Sequence, residues 1–110
     1  MNHKEVEEYI LSMPNSRLDY PFGKDVAVYK VGTESDGKMF ALITEGKDPV
    51  QLSLKGDPQL NEILREKYES VMPGYHLNKK HWNTIVLTGQ LPWDELKGLI
   101  QHSYDLVASP

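Results

Sequence analysis

Between His76 and Asn83 the chain sets two histidines, two lysines, two asparagines and a tryptophan within eight positions. Each of these types has a use at a polyanion. Lysines pair with phosphates, asparagines reach phosphates or base edges, and an exposed indole stacks on a base. The surrounding stretch Val71–Trp93 contains no Asp or Glu. It therefore carries +2 in a chain of net charge −4, leaving −6 on the remainder. His76, Asn78, Lys79, Lys80, His81, Trp82 and Asn83 are the candidate DNA contacts. The same types also have plainer uses. Paired lysines make a solvated turn, asparagines satisfy loop backbone, and a tryptophan packs on a sheet.

Other chemistry finds less support. No Gly-x-Ser-x-Gly elbow is present, and the serines fall in loops or on a strand's polar face, so no catalytic residues are assigned and the protein is read as a non-enzyme. His76 and His81 are five apart, off the spacing of a helical ligand pair, and no nearby carboxylate completes a set, so no metal is expected. No glycine-rich phosphate loop follows a strand, and no cofactor is expected. Tyr20-Pro21-Phe22-Gly23-Lys24-Asp25 is a second candidate contact segment, with a turn that plugs the end of the core as its simpler role.

The elements that must position these residues follow from periodicity. Residues 3–13 carry Val6, Tyr9, Ile10 and Met13 on one helical face, with Asn2 as N-cap, Glu5 closing a capping box and Pro14 as the stop. Within 16–23, Leu18 and Tyr20 alternate with charges in the pattern of a short strand. Val26–Val31 and Lys38–Thr44 read as strands joined by a hairpin loop that turns on Asp36-Gly37. Val50–Leu54 alternates as a strand with one wet face. A helix starts at Asp57-Pro58 and buries Leu60, Ile63, Leu64 and Tyr68. Pro73-Gly74 turns the chain. Thr84–Thr88 reads as a strand with Ile85 and Leu87 on one face and Trp82, Thr84, Val86 and Thr88 on the other. A last helix opens at Pro92 and buries Trp93, Leu96, Leu99, Ile100, Tyr104 and Val107. Trp93, Leu96, Ile100, Tyr104, Ile85, Leu87, Leu42 and Ile63 are expected to share one core.

The order α-β(β)ββ-α-β-α predicts an α+β two-layer domain, an antiparallel sheet with three helices on one face. With 110 residues, 39% of them hydrophobic, the chain makes one domain, residues 1–110, around one core. The acidic balance removes any global pull on nucleic acid and leaves only a local patch. The absence of cysteine rules out a disulfide framework, a Cys-containing zinc site and thiol catalysis. The N-terminus lacks the apolar core of a signal peptide, and no apolar run has the length of a transmembrane helix. The expectation is a cytoplasmic monomer without membrane association.

Several segments together are distinctive: YPFGKDVAVYKV, GKMFALI, LSLKGDP and PGYHLNKKHWNTIVLTGQLPWDELKGLIQHSYDLV. They closely resemble the MmcQ/YjbR family of small bacterial proteins across nearly the whole chain. The family's distinctive positions fall on Gly74, His76, Asn78, Lys79, His81, Trp82, Asn83 and Thr84. The resemblance implies a compact α+β fold likened to CyaY and to type III secretion chaperones. It also implies DNA binding through a double wing of strands and loops. The functional expectation is weak, non-specific DNA binding through the 76–83 loop and adjacent sheet. The alternative is a protein- or peptide-binding module in which the exposed sheet face and the 73–83 loop hold a partner segment. A third is a small-molecule site near His76, His81 and Trp82.

Overall fold

The computed structural model describes residues 2–32 and 37–108. Helix α1 (His3–Leu11) starts where the Asn2 side chain accepts the Glu5 backbone N–H at 2.9 Å. It ends two residues before Met13, because a residue preceding proline is pushed out of helical geometry. Met13 is buried all the same. Four strands follow in an antiparallel meander: β1 (Ser16–Asp19), β2 (Val26–Val31), β3 (Lys38–Thr44) and β4 (Gln51–Lys55). The turn expected around Asp36 lies outside the described residues.

Helix α2 (Pro58–Lys67) opens as its sequence dictates, with Asp57 accepting the N–H groups of Gln59 and Leu60 and Pro58 in the first turn. After it come β5 (Val71–Pro73), β6 (Trp82–Val86) and helix α3 (Trp93–Ala108). The expected element order holds, with β5 as one further, three-residue strand. Pro73 is tolerated there because β5 is an edge strand. The sheet order is β1-β2-β3-β4-β6-β5, antiparallel throughout. Strand β6 starts two residues earlier than its alternation suggested, because Trp82 and Asn83 pair with Lys55 and Leu54.

The helices cover one face of this sheet. Ala27, Tyr29, Phe40, Ile43, Leu52 and Ile85 meet Val6, Ile10, Leu64, Leu96 and Ile100 in the main core. Two expected core members lie elsewhere. Ile63 is 58% exposed, because α2 turns Asn61 and Leu64 inward and Ile63 sits 100° round the helix from Leu64. Leu42 points to the opposite sheet face, where it joins Val28 and Trp82 in a small second cluster. A bulge explains how Phe40 and Ala41, adjacent in sequence, both reach the main core. Tyr29 pairs with Ala41 but Lys30 with Met39, so Phe40 is the extra residue. Fully buried Ser103 of α3 donates to the Phe40 carbonyl at 2.5 Å and accepts the Lys55 N–H at 3.0 Å.

Among the described residues the other face carries no helix. The register aligns Val28, Leu42, Ser53, Thr84 and Met72 in one row across five strands, and Val26, Thr44, Gln51 and Val86 in the next.

Candidate functional site

The loop between β5 and β6 is held by a set of polar fasteners. Gly74 N–H donates to the Trp82 carbonyl at 2.9 Å, and Lys79 Nζ donates back to the Gly74 carbonyl at 2.9 Å. A Cβ on Gly74 would lie 2.7 Å from that of Trp82, so only glycine permits this approach. The Asn78 carbonyl accepts the N–H groups of His81 and Trp82, and its side chain caps Lys80 N–H. From α2, the Arg65 guanidinium donates to the Asn83 side chain at 2.6 Å and to the carbonyls of Lys79 and Trp82. Asn61 donates to the Lys80 carbonyl at 3.3 Å and receives the Asn83 amide at 3.2 Å on its own carbonyl. The Asn78 bonds close the loop on itself, and those of Gly74, Arg65, Asn61 and Asn83 tie its base to the sheet edge and to α2.

What this clasp holds up is the segment Tyr75-His76-Leu77. Thr84 Oγ1 accepts the Tyr75 N–H at 3.1 Å and exchanges a 2.8 Å bond with Ser53 Oγ in the sheet. His76 takes a left-handed backbone, φ 58°, that non-glycine residues adopt at a cost of about 1–2 kcal/mol. Its ring lies 4.0 Å from that of Tyr75, centroid to centroid. Leu77 packs on the Val28–Leu42–Trp82 cluster.

Between this segment and the Tyr20–Asp25 turn, on the helix-free face, runs a groove of about 710 Å³. Its floor is Val26, Leu42, Thr44, Gln51, Ser53 and Thr84. Phe22 rims it beside β2, and Met72 and Tyr75 rim it beyond β6. Phe22 is 64% and Tyr75 67% exposed. Lys47 and His76 bring the basic groups, and among the described residues no carboxylate lines the groove. The arrangement offers aromatic faces, hydroxyls, an amide and positive charge to an occupant.

A family model described as YjbR matches residues 11–106. The chain belongs to the YjbR family. It is similar to the uncharacterized protein YjbR of Escherichia coli K12, 41% identical over 104 residues that cover 94% of this chain and 85% of that protein. The uncharacterized protein YbdF of Escherichia coli O157:H7 is 35% identical, covering 96% and 83%. The crystal structure of Deinococcus radiodurans protein DR2400, with its DUF419 domain, matches at TM-score 0.94 and 40% identity, over 98% of this chain and 79% of that one. A Pseudomonas syringae crystal structure matches at 0.81 and 31% identity, over 97% and 99%.

In this member of the YjbR family the sequence-predicted contact residues divide into three groups. Trp82, 7% exposed, and Asn83, 2% exposed, are interior. Base stacking needs an open ring face, and the Trp82 indole spends its own on Val28 and Leu42. Asn78 and Lys79 are exposed at the surface but bonded within the loop. His76, Lys80 and His81 remain to meet solvent, and of these His76 alone lines the groove. Phe22 stands outside the core rather than plugging it. Sequence reasoning missed Thr44, Lys47, Gln51, Ser53 and Met72, and it reached Tyr75 only as part of the 73–83 loop. The wet face of the Val50–Leu54 alternation was the one available signal for Gln51 and Ser53.

The titratable groups at the α1 end form a separate set. Tyr29, fully buried, donates to the Glu7 carboxylate, and burial first and Glu7 second push the Tyr29 phenol well above its ordinary pKa. His3 and Glu45 are 3.1 Å apart beside them. Among the described residues no group of three or more His, Asp or Glu side chains could hold a metal, and no helix is long and apolar enough to cross a membrane.

Proposed function

We propose that this domain is a non-enzymatic binding protein that takes a small organic ligand into the groove on its helix-free sheet face. The observation that carries the proposal is the groove itself, built by the loop that the clasp holds against the sheet. Its volume of about 710 Å³ falls within the range of about 300–1,000 Å³ typical of small-molecule sites, which favours a compact ligand over an extended peptide. A binding role rather than a catalytic one is supported by the lining. Ser53 and Thr84 are committed to each other and to the Tyr75 N–H, and among the described residues no carboxylate stands in the groove to orient His76 as a base.

A fragment screen followed by amide chemical shifts tests this. Shifts should gather on Thr44, Gln51, Ser53, Tyr75 and Leu77. Gln51→Trp, which fills the floor, should abolish them with the fold retained. Fragments that cluster elsewhere, or that ignore Gln51→Trp, would remove the proposal.

The carboxylate-free stretch Val71–Trp93 favours a second reading, DNA binding through the loop tip, where Lys80 and His81 face outward. So few contacts, opposed by −6 elsewhere, correspond to weak, non-specific binding in the micromolar range or poorer. Changing Lys79 and Lys80 together to Glu should flatten the slope of log affinity against log salt by about two units. Labelled duplex and single-stranded DNA titrated at low salt decide it. No binding at about tens of micromolar, or binding unaffected by the double change, ends that reading.

A further inference from the structure

The two ends of the groove differ in chemistry. Leu42, Leu77 and Met72 bring apolar surface to its far side, around the paired hydroxyls of Ser53 and Thr84, and Val26 adds an apolar side chain beside Thr44. At the β3–β4 hairpin stand Thr44, Lys47 and Gln51. Thr44 and Gln51 are direct register partners on the helix-free face, and Lys47 joins the lining from the turn between their strands. They bring a hydroxyl, a carboxamide and an ammonium, all hydrogen-bond donors. None of these three side chains makes a hydrogen bond or ion pair among the described residues. The other hydroxyls of the floor, Ser53 and Thr84, are bonded to each other. The neighbouring acids are turned elsewhere: Glu45 bonds His3, and Asp48 is outside the lining. In a chain of net charge −4, a cluster of unpartnered donors beside apolar side chains such as Val26 and Leu42 has a chemical meaning. It complements a negative group attached to an apolar body, since charge-assisted bonds are the strongest such donors make.

We infer that the groove selects an organic carboxylate with a flat apolar body, its acid seated on Thr44, Lys47 and Gln51 and its body lying toward the exposed rings of Phe22 and Tyr75. This deepens the groove proposal and rests on it. The strand order places Phe22 beside β2 and Tyr75 beyond β6, so a body spanning β3 and β4 meets one ring at each side. Free carboxylate and a neutral isostere are then distinguished by Lys47, which is exposed and has no structural bond to lose.

The test uses the whole chain and three probes of one shape: 1-naphthoate, 1-naphthamide and 1-naphthylmethylammonium, followed by amide shifts and calorimetry. Naphthoate should shift Thr44, Gln51 and Tyr75 and bind about tenfold tighter than the amide, the weight of one hydrogen bond to a charged group. The ammonium should bind weakest. Lys47→Glu should erase the advantage of naphthoate over the amide. If naphthoate and amide bind the groove equally, or the preference survives Lys47→Glu, the carboxylate inference is overturned and the groove proposal stands. If none of the three probes shifts the groove, both fall.

Discussion

Replacing Asn83 by alanine separates a residue that builds the loop from one that touches a ligand. Asn83 is 2% exposed and bonds in two directions. Its Oδ1 accepts the Arg65 guanidinium at 2.6 Å, and its Nδ2 donates to the Asn61 carbonyl at 3.2 Å. A hydrogen bond to a charged group is worth about 1.5–3 kcal/mol and a neutral one about 1. Arg65 keeps the carbonyls of Lys79 and Trp82, so the guanidinium is not wholly abandoned. The Asn61 carbonyl loses this partner in a residue only 3% exposed. The expected loss is about 3 kcal/mol, or about 12 °C in melting temperature for a domain of this size. Urea titration of wild type and variant by circular dichroism reads it, with the denaturant slope unchanged. A loss below about 1 kcal/mol would refute the clasp and return Asn83 to the candidate ligand contacts.

Ile85→Ala or Leu96→Ala should each cost about 2–5 kcal/mol in the same titration, since both side chains sit in the main core. Trp82→Ala should cost about 3–5 kcal/mol and lower stability before it lowers any affinity, because the indole is buried in the second cluster with Val28 and Leu42. The Tyr29 phenol is raised above its ordinary pKa of 10.0, so the folded state keeps a proton that the unfolded state releases. The stability this contributes is full below that pKa and is lost as pH climbs beyond it. Denaturation across the alkaline range should therefore show a shallower decline in Tyr29→Phe than in wild type. Chelator should leave the melting temperature unchanged; a drop on chelation would reveal a metal bound to the folded state.

The sheet was legible where side chains alternate or cluster. Val26–Val31 and Lys38–Thr44 were found at their observed bounds, and Asp57-Pro58 announced α2 through the chemistry of a helix start. The alternation that marks β4 begins at Val50, one residue before the strand itself starts at Gln51. Three residues containing a proline give no alternation, and β5 stayed hidden. Ile63 misled because two adjacent turns of α2 offer two apolar stripes, and the chosen one is fixed by the polar bonds of Asn61 and Arg65. The densest motif was legible as a unit but not in its role. An asparagine that caps and one that contacts a ligand are the same letter, and burial decides between them. The groove draws Phe22, the β3–β4 hairpin and Tyr75 from three distant parts of the chain, and no local pattern joins them.

Ser103 gives the molecule an alignment gauge. Apolar contacts between α3 and the sheet are non-directional, so a helix could slide along them with little change in energy. The hydroxyl between the Phe40 carbonyl and the Lys55 N–H tolerates no such drift. One residue of slippage moves a helix about 1.5 Å along its axis, enough to stretch both bonds beyond useful length. The bulge leaves a carbonyl at the one place where the ladder changes phase, and α3 reads that fault as a vernier reads its scale.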